Sequence, residues 1–255
     1  MKIQLPRGKR MPNKKKSAIV LLSGGLDSTV CLWWAKKQEY STVTAMTFEY
    51  GSKEETILVE VTKALGKMAS IDTHQFIKLP FLAEFSKLSG SSLSKESKKD
   101  LPKLKDEDLD DLTIGLESAK SVWIPARNLV FLSIASSYAE ILGDEVDIIT
   151  GFNLEEGSTF PDNTQEFIND FTRTASRGVL NAKVEVLSPI ANINKAGIVQ
   201  LGKKLEVPFE YSNSCYNPKG FDSAGKPIHC GICESCKRRK RGFKEGLGFD
   251  PTIYE

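Results

Sequence analysis

Seven consecutive residues, Ser23-Gly24-Gly25-Leu26-Asp27-Ser28-Thr29, hold the densest chemistry in this chain. They follow an apolar run ending at Leu22 that reads as a buried parallel strand. They precede Val30-Cys31-Leu32-Trp33-Trp34-Ala35, which reads as a helix. A glycine pair between strand and helix permits a sharp turn and a close backbone approach to a ligand. The free N–H groups at the start of the helix then point at an anion. Ser23, Ser28 and Thr29 add hydroxyl donors. The stretch has no lysine, which excludes the GxxxxGK[ST] phosphate loop. Asp27 suits a different role, holding Mg²⁺ that in turn holds phosphates. The competing reading is an ordinary strand-to-helix turn with a serine cap.

Cys215, Cys230, Cys233 and Cys236 give C-x14-C-x2-C-x2-C. Four thiolates at this spacing suit a closed, structural, tetrahedral Zn²⁺ with no open position for substrate. The alternatives are two disulfides, or His229 in place of one cysteine. The chain opens Met1-Lys2-Ile3 without an apolar signal segment. The expectation is therefore a cytoplasmic protein with reduced thiols. Cys31, on the apolar first helix, reads as a small core residue.

Three further groups could serve an anion site. Arg127 and Asn128 stand where a helix begins, and an arginine there is placed to hold phosphate. Gly151-Phe152-Asn153 ends a strand, with Glu155, Glu156 and Asp162 close behind. Such acids bind Mg²⁺, an amine or a purine edge, or are merely solvated. Lys195 opens a helix, where a cation opposes the macrodipole. A phosphate between lysine and helix end would reconcile the two charges.

The elements that must position these groups alternate. Strands are expected at 18–22, 43–48, 73–78, 146–150 and 183–187, and helices at 27–37, 54–69, 129–142, 167–177 and 195–205. Alternation of this kind predicts an α/β fold, an open, mostly parallel sheet with helices on both faces. Ligands then bind at the C-terminal strand edge. The chain divides into a basic leader at 1–16, an α/β domain at 17–209 that carries the Ser23–Thr29 loop, and a small zinc-binding module at 210–255. Residues 85–121, rich in Ser, Lys, Asp and Leu, read as a long insert, either a mobile lid or a disordered decoration. The net charge of +2, from 35 Lys and Arg against 33 Asp and Glu, favours no class of partner. No stretch of eighteen apolar residues occurs, so no membrane helix is expected. The run Lys237-Arg238-Arg239-Lys240-Arg241 reads as the solvated face of a helix, with RNA contact as the alternative.

With these residues in view the chain resembles the 7-cyano-7-deazaguanine synthases (QueC type), within the N-type ATP pyrophosphatases. The resemblance covers about residues 17–245. Ser23–Thr29 is similar to the superfamily's pyrophosphate loop. Pro125-Ala126-Arg127-Asn128 resembles P-G-R-N. Gly151-Phe152-Asn153 and Phe160-Pro161-Asp162 resemble G-x-N and Y-P-D, and Asn194-Lys195-Ala196 the lysine motif. Ser214-Cys215-Tyr216 and Cys230-Gly231-Ile232-Cys233-Glu234-Ser235-Cys236 resemble its zinc site. Departures stand at Ser52-Lys53-Glu54, Ala126, Glu156 and Asn163-Thr164, and the wording around 151–163 resembles an archaeal branch that feeds archaeosine.

The resemblance implies a Rossmann-like sheet of the adenine nucleotide alpha hydrolase type. It implies a ligase that converts 7-carboxy-7-deazaguanine and ammonia to the nitrile, with ATP going to AMP and diphosphate. ATP, Mg²⁺ and Zn²⁺ are the implied cofactors. A free deazapurine rather than tRNA is the implied partner, and homodimers occur among relatives. It implies that Leu22, Ser23, Gly24, Gly25, Leu26, Asp27, Ser28 and Thr29 hold the nucleotide. Asp27, Arg127 and Lys195 would serve catalysis, and Gly151, Asn153, Phe160 and Asp162 would line the deazapurine pocket. Core packing is the alternative for Phe160. Two other readings remain: another adenylating enzyme, such as a tRNA thiolase or amide-forming synthetase, and a non-enzymatic zinc-ribbon RNA-binding protein. ATP–pyrophosphate exchange with and without the deazapurine acid separates them.

Overall fold

A computed structural model describes residues 16–255. The expected basic leader lies outside these residues except for Lys16. Lys16 is not leader: it begins the first strand, with its ammonium 2.8 Å from the buried carboxylate of Asp147.

Five strands form one parallel sheet: β1 (Lys16–Leu21), β2 (Thr42–Glu49), β3 (Thr73–Lys78), β4 (Asp144–Ile149) and β5 (Ala182–Leu187). Their order is β3-β2-β1-β4-β5. The chain runs outward from β1 to β3, then crosses back to place β4 on the other side of β1. This reversal opens a crevice beyond the C-terminal ends of β1 and β4, where a ligand fits. The sheet is covered on both faces, which explains the unbroken apolar runs in its central strands. Ile19, Met46 and Ile148 face a core shared with α5 (Arg127–Leu142) and α7 (Gln165–Gly178). Ala18, Val20 and Ala45 face the opposite core with α1 (Leu26–Lys36), α8 (Lys195–Lys204) and α9 (Glu234–Gly246). Helix α2 (Glu55–Met68) connects β2 to β3.

Residues 85–121 are not one long loop. They contain the end of α3 (Pro80–Leu88), a 3-10 turn at Asp106–Asp110 and α4 (Leu112–Val122). Asp111 caps α4 by accepting from the Thr113 and Ile114 N–H groups. The inward face of α4 is Gly115, Ser118, Ala119 and Val122. That face is helically spaced but built of small residues, so its period is faint in the sequence. A short helix α6 (Leu154–Gly157) follows β4, and the two-residue strands β6 (Ile228–His229) and β7 (Ile253–Tyr254) pair beside the cysteines. Among the described residues no helix is long and apolar enough to cross a membrane.

Candidate active site

A cavity of about 300 Å³ opens at the strand reversal. Leu22, Ser23, Gly25, Leu26, Asp27, Ser28, Arg127, Gly151, Phe160, Asp162 and Lys195 all border it. The turn before α1 is made at Gly24, whose φ of +75° suits glycine, and a Cβ there would lie 2.7 Å from Val61 Cγ1. Gly151 meets the same loop from β4. A Cβ on it would lie 3.0 Å from the Ser28 nitrogen, so any side chain there would push the two loops apart by a few tenths of an ångström. The Ser23 and Ser28 hydroxyls are 3.0 Å apart at the mouth of the loop.

Two loop residues are placed differently from expectation. Thr29 is fully buried and donates its hydroxyl to Gly25 O at 2.7 Å, so it stabilises the first turn of α1 and offers nothing to the cavity. Gly24 shapes the turn but does not border the cavity. Asn153 is also corrected: it is fully buried and caps α6, accepting from Glu155 N and Glu156 N at 3.0 and 3.1 Å. Its amide donates to Asp27 Oδ2 at 3.3 Å. It positions acids rather than lining a purine pocket.

Lys195 sits at the first position of α8, with Asn194 as cap. Its Nζ donates to Asp27 Oδ2 at 2.5 Å and to Glu156 Oε1 at 3.1 Å. Its backbone N–H donates to Glu155 Oε1 at 2.8 Å. The anions that reconcile lysine and helix end are therefore three carboxylates of the protein, and the acids after β4 are not merely solvated. Burial opposes the Lys195 charge, but Asp27 and Glu156 outweigh it and hold its pKa above the ordinary value. Burial pushes Asp27 up to about 6 in spite of Lys195. Asp27 Oδ1 is buried with no hydrogen-bond partner.

Arg127 follows Ala126, which takes the left-handed conformation at φ +51°. The kink turns the guanidinium over Tyr50 and Phe131, 5.9 and 6.0 Å from their ring centroids. Burial works against its charge, while Tyr50, Asp162 and Glu156 hold its pKa up. Asp162 is buried and accepts from Asn163 Nδ2 at 2.9 Å, and burial raises its pKa. Phe160 lies nearly parallel to Trp123, at 14° with centroids 6.1 Å apart. Glu54, Tyr50 and Trp123 also border the cavity and went unnoticed as site residues. Their signal was the altered stretch Ser52-Lys53-Glu54 and the run into Pro125.

The four cysteines are buried, and their sulfurs lie within 4.8 Å of one another, a set able to hold a metal ion. None is in a disulfide. His229 is not in this set, and its Nε2 lies 3.3 Å from Ser212 O. The basic run on α9 is not a solvated face. Arg239 is 1% exposed and donates to Thr252 Oγ1, Ser212 Oγ, Ser214 Oγ and Phe209 O. Ser214 in turn accepts from Leu26 N at 3.4 Å, which ties the cysteine module to the loop. Lys237 and Arg241 pair with Asp106 and Asp110 at 3.0 and 2.6 Å. These two contacts fasten the 3-10 turn of the insert to α9.

The family described as Queuosine biosynthesis protein QueC matches residues 17–247. A 7-cyano-7-deazaguanine synthase from Pyrococcus horikoshii is 49% identical over 239 residues, covering 94% of this chain and 97% of that protein. A protein of the same name from Methanococcus aeolicus is 43% identical over 242 residues, covering 93% and 98%. A solved U34-tRNA thiolase NcsA from Methanococcus maripaludis, with its [4Fe-4S] cluster, covers 92% of this chain and 67% of its own at 15% identity, with a TM-score of 0.44. That likeness is too slight to bear on function.

Proposed function

We infer the activity from the family: the chain belongs to the Queuosine biosynthesis protein QueC family, and it acts as a 7-cyano-7-deazaguanine synthase in the making of a 7-deazaguanine tRNA nucleoside. The substrates are 7-carboxy-7-deazaguanine, ammonia and ATP. A carboxylate has no good leaving group, so AMP is transferred onto it with release of pyrophosphate. Ammonia displaces AMP to give the amide. A second adenylation, on the amide oxygen, lets AMP leave again as the nitrile forms.

The observation that carries this reading is that one cavity gathers Ser23, Gly25 and Ser28 of the loop with Arg127, Lys195 and the buried acid Asp27 at the strand reversal. We assign pyrophosphate to the Ser23, Gly25 and Ser28 side of that cavity, where the first N–H groups of α1 have no intrahelical partner. Arg127 and Lys195 neutralise charge that develops at the α-phosphate, where fixed charges act most strongly. Asp162 accepts from the amino edge of the deazapurine, and Asn163 holds its carboxylate in place. Phe160 and Trp123 supply an aromatic wall for the ring.

The residues fit Mg²⁺, because Asp27 Oδ1 is a buried oxygen with no other partner. When bound, Mg²⁺ offsets phosphate charge and makes pyrophosphate a better leaving group. The closed, buried cysteine set fits a structural Zn²⁺ held by Cys215, Cys230, Cys233 and Cys236. The single cysteine outside that set, Cys31, is fully buried with its thiol on Thr150 O. It offers nothing to thiolase chemistry. Ammonia as the nitrogen donor and a free deazapurine rather than tRNA belong to the same proposal.

The test is product mass spectrometry after incubation with 7-carboxy-7-deazaguanine, ATP, Mg²⁺ and ammonium. Nitrile, AMP and pyrophosphate are expected. Turnover of a different carboxylate, with none of this one, would overturn the named substrate.

A further inference from the structure

The acids around the cavity are not equivalent. Asp27 and Glu156 share Lys195 at 2.5 and 3.1 Å. Glu155 pairs with Arg238 and Arg241 at 3.7 and 3.5 Å. Glu234 pairs with Arg238 at 2.8 Å and accepts from Ser118. Asp162 accepts from Asn163. Among the described acids that border the cavity, Asp162 and Glu54 have no ion pair within 4 Å, and Glu54 alone also lacks a side-chain amide: its Oε2 is out of contact with solvent and without a hydrogen-bond partner.

An unpaired carboxylate bordering the cavity proposed to hold the substrates is a proton acceptor in waiting, and the proposed chemistry requires one. Ammonia brings three N–H protons and the nitrile keeps none. When ammonia adds to the acyl adenylate, its nitrogen becomes positively charged. It must lose one proton as the C–O bond breaks and AMP leaves with the electron pair. After the second adenylation the nitrogen loses its remaining two protons one after the other, the acceptor passing the first to water before it takes the second. Its freed electron pair forms the third C–N bond as AMP leaves again. Asp27, Glu155, Glu156 and Glu234 are tied to cations and are poor bases.

We propose that Glu54 is the catalytic base that takes protons from the reacting nitrogen in the amide-forming and nitrile-forming steps. The proposal rests on the synthase function inferred above. The Glu54 backbone N–H, Ser52, Arg127, Glu55 and Tyr50 are the polar and charged groups acting on the Glu54 carboxylate. Burial dominates over them and raises its pKa to about 7, which matches a base working near neutral pH.

The experiment compares wild type, Glu54→Gln and Glu54→His in two assays: nitrile formation from the amide with ATP and Mg²⁺, and ATP–pyrophosphate exchange with the acid. Supplying the amide removes the pH dependence of free ammonia. In the wild type, nitrile formation should rise with pH through about 7, as the carboxylate gives up its own proton. Glu54→Gln should lower nitrile formation roughly 10²- to 10⁴-fold, the usual contribution of a positioned base, and lower exchange far less. Glu54→His should restore most of the loss. Equal losses in both assays, or a Gln variant within threefold of wild type in nitrile formation, would overturn the proposal. If Glu54→Gln does not fold, a wild-type profile that is flat from about pH 6 to 8 overturns it. A wild type that makes no nitrile from either acid or amide removes the synthase reading, and this inference with it.

Discussion

Replacing Lys195 by Met removes the one cation that Asp27 and Glu156 share. The contacts are 2.5 and 3.1 Å, and the lysine and aspartate side chains are only 10% and 16% exposed. At an effective dielectric of about 20, the two contacts are worth roughly 7 and 5 kcal/mol before desolvation is subtracted. Breaking a buried pair by removing one partner costs about 3–5 kcal/mol net, because the remaining charge is stranded. For a chain of this size about 1 kcal/mol shifts Tm by roughly 2–4 °C, so Lys195→Met should unfold roughly 6–20 °C below wild type at pH 7.5. The double variant Asp27→Asn/Lys195→Met should be more stable than Lys195→Met alone, since it removes a stranded charge.

The pH dependence has a definite sign. Burial holds Asp27 at about 6 in the folded protein, above its unfolded value. The folded state therefore binds a proton where the unfolded state does not, and the cost of this group is relieved as pH falls through about 6. Without Lys195 the Asp27 pKa climbs further, so the deficit of Lys195→Met should shrink at pH 5.5. Adenylation should fall about 10²- to 10³-fold, more than ATP binding weakens. Thermal unfolding of the three proteins at the two pH values, with ATP–pyrophosphate exchange, decides the matter. A Lys195→Met variant within about 2 °C of wild type, or a deficit that widens at pH 5.5, would refute the reasoning.

Cys233→Ser should release the metal and lower Tm, because metal binding is coupled to folding; elemental analysis of the wild type should find one zinc per chain. Ala126→Gly should raise Tm by roughly 2–4 °C, since the left-handed conformation at φ +51° costs alanine about 1 kcal/mol more than glycine. Asp162→Ala should raise the KM for the deazapurine acid at least about tenfold while the KM for ATP stays near wild type, as expected when a uniform binding contact to one substrate is lost.

Much of the architecture was legible because it is local. The apolar runs of β1, β2 and β4 announce strands buried on both faces. The glycines and hydroxyls of the loop lie within seven residues of one another, so their spacing alone describes a turn into a helix. The Cys230, Cys233 and Cys236 spacing brings three thiols together within seven residues. By contrast α4 was illegible, because Gly115, Ser118 and Ala119 make a buried face without bulk. Thr29 and Asn153 were misread because a hydroxyl or amide beside a phosphate-type loop looks like a ligand, while the backbone claims both.

What the sequence determined by itself was the type of site: the sheet class, the loop before α1 and the cysteine set, each written in residues near one another in the chain. Only the tertiary structure decided the pairing of charges. Lys195 meets Asp27 across 168 positions, and Arg241 meets Asp110 across 131. Both contacts depend on β4 crossing back beside β1 and on α9 packing over α8. The sequence offers Asp27, Glu155, Glu156 and Asp162 as site acids but says nothing of which cation each one meets. Folding puts a cation within 4 Å of Asp27, Glu155, Glu156 and Glu234 and an amide on Asp162, while Glu54 has neither within that distance. A side chain's chemistry is set by its neighbours in space, and those are chosen by strand order, which no local pattern encodes.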